Sequence, residues 1–374
     1  MKEISEILKA YSQAKAEEKK TALATVVKVE GSSYRQPGAR MLVTEDGILT
    51  GAISGGCLEG DALRKALLSI NQKQNKLVTY NTSNEDDAEV GLQLGCNGIV
   101  HILFEYIDEE VENNPIQLLQ QLELETKEAV IVTVFSLKRN ASQIGTTLFF
   151  RKDSPVLTLD NEALSLISDV KEALENKTTV VKKLQEENGR EALIEYIKPS
   201  ISLVIAGAGN DIQPLVKMAA VLGWRTHIAE GRATHATAKR FPKASEISVV
   251  KPEQFLENIT IDDQTYFLLM THNYKYDLAL LKLLLETNCH YIGILGPKSK
   301  FSRMLDDLLI EGITVNEEQL SRIHSPIGLD IGAETSEEIA LSIVSEIKAI
   351  ASERVGTSLK YKPGKIHNEI HYGK

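Results

Sequence analysis

Ile201-Ser202-Leu203-Val204-Ile205-Ala206-Gly207-Ala208-Gly209-Asn210-Asp211-Ile212 is the stretch on which the fold of this chain turns. Its aliphatic, β-branched start reads as a strand buried on both faces, the kind found in parallel sheets. Gly207 and Gly209 form a turn where the backbone could approach a diphosphate, and the helix from Gln213 to Leu222 would add its positive N-terminal dipole. A second strand, Trp224 to Ala229, ends at Glu230, a carboxylate placed to accept hydrogen bonds from ribose hydroxyls. A bare Gly-x-Gly is weak, but strand, turn, helix, strand and acid in that order specify a Rossmann unit. Ile212 stands where the fingerprint has a third small residue, and its bulk would push the helix from the strand or crowd a pyrophosphate. Glu230 would repel a 2′-phosphate, which disfavours NADP-like ligands. A Rossmann scaffold that binds no nucleotide is the competing reading.

The alternation continues downstream. Tyr266 to Met270 reads as a strand ending in Thr271-His272-Asn273, and Tyr291 to Leu295 as another ending in Gly296-Pro297-Lys298. Residues at the C-terminal ends of parallel strands gather in one crevice, so His272 and Lys298 are expected near the Gly207 turn. Thr335 and Glu338 have the spacing of a capping box for a helix to about Ile350. The fold class is therefore α/β. A mixed α+β domain spans 1–198 and a Rossmann-like parallel-sheet domain spans 199–374, divided near Lys198-Pro199-Ser200. Inside the first domain an internal repeat is legible. Ala22 to Val29, a loop and Met41 to Thr44 are echoed by Ala129 to Ser136, a loop and Thr146 to Phe150. Each unit continues with a helix, and each ends in Glu-Tyr-Ile, at Glu105-Tyr106-Ile107 and Glu195-Tyr196-Ile197.

Three glycine-bearing loops crowd the first hundred residues. Gly31-Ser32-Ser33-Tyr34-Arg35-Gln36-Pro37-Gly38-Ala39-Arg40-Met41 offers hydroxyls at Ser32 and Ser33 and guanidiniums at Arg35 and Arg40, a set suited to a phosphate or polar heterocycle. Ser54-Gly55-Gly56-Cys57-Leu58-Glu59 places a thiol at a bend before a helix, where inward amides would favour the thiolate that binds soft metals. Taken alone, Gly-Gly-Cys is also what a buried Cys in a tight turn looks like. Gly91-Leu92-Gln93-Leu94-Gly95-Cys96-Asn97-Gly98 repeats the theme of a thiol among glycines.

Together these loops closely resemble the xanthine dehydrogenase accessory factor family (XdhC/CoxI). Its members combine a Gly-Ser-loop-Pro-Gly-Ala-basic-Met segment, a Ser-Gly-Gly-Cys-x-Glu turn and a later Gly-Cys-Gly-type loop. The resemblance runs through Pro326-Ile327-Gly328-Leu329-Asp330 and covers nearly the whole chain. The family usually has His at Asn210 and Asp at Glu230. It implies a maturation factor, more a chaperone than a catalyst, that binds the molybdenum cofactor and protects it. Such a factor assists exchange of an oxo for a sulfido ligand and delivers the cofactor to a xanthine dehydrogenase-type apoenzyme, with a cysteine desulfurase as a second partner. Cys57 is then the expected molybdenum ligand, with Gly55, Gly56, Glu59, Ser32, Ser33, Arg35, Arg40 and Cys96 around the cofactor. Gly207, Gly209, Glu230, His272 and Lys298 would hold NAD, another nucleotide or the pterin's phosphate end.

With 374 residues, 43% hydrophobic and 25% charged, the composition is that of a globular protein of two domains. A net charge of −10 argues against nucleic acid and anionic membranes as partners. No apolar run reaches spanning length, and the N-terminus has no signal-peptide pattern. Three dispersed cysteines form no disulfide framework, which points to a reducing, cytoplasmic setting. A two-fold homodimer is the expected assembly. Two other classes stay open: a NAD-dependent oxidoreductase, and a docking scaffold without a bound ligand.

Overall fold

The computed structural model describes residues 1–81, 98–185, 189–364, 366 and 371–372. It divides into two compact units, Met1–Pro199 with His367–Lys374, and Ser200–Ile366.

The first unit opens with helix α1 (Lys2–Ala16) and strands β1 (Thr21–Gly31), β2 (Arg40–Thr44) and β3 (Leu49–Gly51). Helix α2 (Glu59–Gln72), strands β4 (Lys76–Asn81) and β5 (Gly98–Tyr106) and helix α3 (Pro115–Leu124) follow. Then come β6 (Ala129–Ser136), β7 (Gly145–Phe150), β8 (Leu157–Thr158), α4 (Ile167–Glu175), β9 (Val180–Gln185) and β10 (Arg190–Ile197). One sheet has the order β3-β2-β1-β5-β4. The other runs β8-β7-β6-β10-β9, the same order strand for strand, and its β9 edge is extended by a strand at His371–Tyr372. Strand periodicity explains the layering. Ala22, Ala24 and Val26 of β1 pack outward with Ala62 and Ala66 of α2, whereas Leu23 packs inward with Ile131 and Phe149 of the second sheet. Val130, Val132 and Ile194 turn away from that interface to meet Val170 and Ala173 of α4. The result is helix, sheet, sheet, helix, with α1 and α3 filling the centre. The loop from Gly91 to Asn97, with Cys96, lies outside the described residues.

The second unit contains β11 (Ser202–Ala206), α5 (Ile212–Val221), β12 (Arg225–Glu230), β13 (Glu246–Val249), β14 (Thr265–Leu269) and α6 (Tyr274–Leu285). It continues with β15 (Ile292–Ile294), α7 (Lys298–Ile310), α8 (Glu317–Ser321), β16 (Ile323–His324) and α9 (Ser336–Ala351); the strand at His371–Tyr372 is β17. All six strands of its sheet are parallel, in the order β13-β12-β11-β14-β15-β16. Counted within the unit this is 3-2-1-4-5-6, the doubly wound dinucleotide-fold order, whose switch point lies between β11 and β14. Leu203 and Ile205 pack under α5 and α9 on one face, and Val204 and Ala206 under α6 and α7 on the other. Leu203, Val204 and Ile205 each contribute about 1.5–3 kcal/mol by leaving water. Ile212 does not push the helix away. It is fully buried in the α5 core, so its bulk is used in packing. The Thr335 side chain accepts from the Glu338 amide and Glu338 accepts in return, the capping box that starts α9.

Candidate functional site

Two sites are built by these frames, one in each unit. In the first, the chain leaves β3 and turns through Ser54 to Cys57 before α2. Ser54 organises the turn. Its Oγ accepts the amides of Gly56, Cys57 and Leu58 at 3.1–3.2 Å. It donates to one Glu59 oxygen, and the other Glu59 oxygen takes the Ser54 amide at 2.9 Å. The amides expected to favour a Cys57 thiolate therefore point at Ser54 instead. The thiol itself sits 3.5 Å from Ser54 Oγ, half-buried against the α2 side of the sheet. Sγ–H to Oγ–H to carboxylate is a continuous donor sequence that links Cys57 through Ser54 to Glu59. Among the described residues, nothing lies within 4 Å of where a side chain on Gly56 would stand.

The upstream loop reaches this turn through Tyr34, whose ring lies 3.4–3.6 Å from the place of a Gly55 side chain. Ser32 is exposed and Ser33 half-buried on the same loop. The two guanidiniums behave differently from the expectation. Arg35 is paired with Glu3 at 2.6 Å. Arg40 is only 1% exposed, and its Nη1 donates to Glu195 and the Gly38 carbonyl at 3.0 and 2.9 Å. Its other terminal nitrogen meets Glu195 Oε2 at 2.5 Å. A phosphate does not reach a guanidinium so enclosed, and Arg40 is an internal ion pair rather than a ligand contact.

The second site is the crevice at the β11–β14 switch point, a cavity of about 810 Å³ lined by Gly209, Glu230, Arg232, His235, Arg240 and His272 among others. Gly207 has φ +117°, and a side chain there would lie 2.4 Å from the Met270 carbonyl oxygen, so the tight turn beside β14 admits only glycine. Glu230 ends β12 as expected, accepting the Ala208 amide at 3.0 Å. It is also gripped by Arg232, through Nε at 3.0 Å and Nη2 at 2.8 Å. Burial pushes the Glu230 carboxyl upward, but these donors outweigh it and hold the group below its ordinary value. Arg240 donates to the carbonyls of Ala208 and His235 and to Asn210 Oδ1, tying the β12 loop to the glycine turn.

His272 follows β14 with φ +56° and lies 2.9 Å from Asp211 Oδ2. Lys298 does not join it. It is the exposed first residue of α7 and is not part of the cavity wall. Lys300 reaches back instead, 2.6 Å from the fully buried Asp277 and 2.8 Å from the Leu295 carbonyl. Asp211, Arg232 and Arg240 escaped the sequence reading. The only local signal was an acid two places after the second glycine and an arginine two places after the strand-end acid.

Family models match both units. Residues 14–81 match the XdhC and CoxI family, and residues 203–347 match the XdhC Rossmann domain. The chain belongs to the XdhC and CoxI family. It is 30% identical over 335 residues to a protein of Bacillus subtilis (strain 168) named as a probable xanthine dehydrogenase subunit, covering 88% of this chain and 93% of that one. It is 23% identical over 345 residues to the molybdenum cofactor insertion chaperone PaoD of Escherichia coli (strain K12), covering 92% and 87%. The crystal structure of a xanthine dehydrogenase from Bacillus halodurans superposes with a TM-score of 0.75 at 30% identity, over 96% of this chain and 98% of that one. Among the described residues, no helix is long and apolar enough to cross a membrane, and no group of His, Cys, Asp and Glu is arranged to hold a metal ion.

Proposed function

We propose that this chain is a maturation factor that binds the molybdenum cofactor as cargo and protects it. In this reading it assists sulfuration of the cofactor and delivers it to a xanthine dehydrogenase-type apoenzyme, in step with a cysteine desulfurase. The observation that carries the reading is the half-buried Cys57 thiol at the foot of α2, latched by Ser54 and Glu59 beside Gly56, next to which no described residue stands. Molybdenum held by a dithiolene is soft enough to accept a thiolate, and one thiolate on a turn suits a cargo that must leave. The similarity to an insertion chaperone along 92% of the chain supports the same role. Arg40 is enclosed and Arg35 is paired to Glu3, so neither guanidinium of the upstream loop is left for a phosphate. The cleft of the second unit, with Arg232 and His272 over half exposed, is the better place for a nucleotide, NAD among them, or for the pterin's phosphate end.

The test is the molybdenum content of protein purified without oxygen from molybdate-grown cells. Cys57→Ser should lose most of the metal and fail to activate the apoenzyme while melting with the parent. Cys289→Ser should match the parent, since that thiol is buried and burial pushes its pKa up. Equal metal and equal activation by the Cys57→Ser protein would leave the turn as architecture only. A two-fold homodimer belongs to the proposal, and a monomer mass in light scattering at micromolar concentration would remove it.

A further inference from the structure

In a dinucleotide-binding turn the second glycine is bare because a diphosphate lies against it. Here that place is taken. A side chain built on Gly209 would lie 2.2 Å from Asp211 Oδ1 and 3.6 Å from His272 Nε2. The Asp211 carboxylate folds back over the glycine and is held there by His272 at 2.9 Å. It makes no side-chain capping bond to α5, whose first turn it precedes. The ribose acid is also committed, since both Glu230 oxygens are engaged by Arg232. An anion of the protein thus sits at the phosphate position, and a cation of the protein sits on the ribose acid.

We propose that Asp211 is the specificity-determining residue of this cleft, a built-in occupant of the phosphate position that a phosphate-bearing nucleotide must displace. This rests on the reading of the cleft as a nucleotide or pterin-phosphate site. A bound phosphate and the Asp211 carboxylate cannot share the place, because two anions at contact distance repel in a half-enclosed cavity. The exchange leaves His272 beside the incoming phosphate, and it charges every phosphate-bearing ligand with the removal of Asp211 from its partner. A nucleoside without phosphate meets no such competitor. The cleft therefore binds phosphorylated ligands weakly and releases them readily, as a site that hands something on requires.

Titration calorimetry of the full chain with ADP and with adenosine tests this. Asp211→Asn keeps the shape and removes the charge, and ADP should bind it about tenfold more tightly or better than it binds the parent. Adenosine should change less than about twofold. Asp211→Ser, with a hydroxyl suited to a helix start, should move ADP in the same direction and carries the test if the Asn variant is unstable. Equal ADP affinity in parent and variants, no ADP binding in any of them, weaker binding in the variants, or an equal gain for adenosine would each overturn the proposal. Molybdenum enters none of these measurements. The cofactor reading stands or falls on Cys57, and this one on ADP.

Discussion

Two corners of the first unit occupy corresponding positions in its twin sheets, with an arginine at one and a threonine at the other. In the first sheet Arg40 stands opposite Thr25, and in the second Thr146 stands opposite Thr133. The Glu of each Glu-Tyr-Ile segment reaches across to the other sheet's corner. Glu195 meets Arg40 and the Gly38 backbone, and Glu105 meets Thr146 and the Gly145 backbone. A side chain on either glycine would lie 2.4 Å from the carboxylate that covers it. The half-buried Glu195 carboxylate has a guanidinium against it; the fully buried Glu105 has a hydroxyl and an amide. Burial, only partly offset by the Thr146 donors and the field of Arg40, pushes the Glu105 carboxyl up to about 7. A fold built twice can thus keep a carboxylate at each corner while changing the donors that meet it.

Breaking the charged corner should have the largest effect. Arg40→Ala strands Glu195 and is expected to cost about 3–5 kcal/mol in urea unfolding. Replacing both Arg40 and Glu195 by methionine should recover most of that loss, since an apolar pair of similar volume avoids the desolvation cost. If the double variant is as unstable as the single one, the corner is held by packing rather than by charge.

The uncharged corner is sharpened by pH. Glu105 holds its proton more tightly folded than unfolded, so its effect on stability has a definite sign. The penalty is absent well below 4.5, grows as pH rises from 4.5 to about 7, and is constant above that. Glu105→Gln should therefore match the parent near pH 4.5 and exceed it at pH 8, by at most about 3 kcal/mol. Thermal melts across that range decide it, and a difference that does not change with pH would remove the titration from Glu105.

The smallest effect concerns the helix that each repeat starts after its third strand. Neither helix has a side-chain cap, but α2 follows a turn in which Ser54 gathers three amides, whereas α4 follows a short 3₁₀ turn at Asn161–Leu166. Ser54→Ala leaves these turn amides without their acceptor and should cost about 1–3 kcal/mol, read as a lowered urea midpoint. No loss would mean that the turn is shaped by its glycines alone.

What the sequence disclosed follows from the range of the forces involved. The parallel strands were legible because burial on both faces writes an aliphatic run, as at Leu203 to Ala206, and the glycine turn because only Gly207 fits beside Met270. Arg40 was not legible, because its partner lies 155 residues away and a local reading sees only a basic loop. Lys298 and Lys300 are two residues apart, which on a helix is about 200° of rotation, and that rotation decides which one meets Asp277. Asp211 was in plain view, but its fold-back over Gly209 depends on His272, 61 residues away in the loop after β14.

One pairing has a bearing on how the chain is made. β17 completes the second sheet of the first unit by lying parallel to β9 at Val180 and Val181, yet it follows the whole of 200–366 in the chain. A ribosome releases the N-terminal unit first, and domains commonly fold in that order. Here the first unit emerges with the edge of β9 still open, and the chain must build an entire parallel-sheet domain before the strand that closes that edge exists.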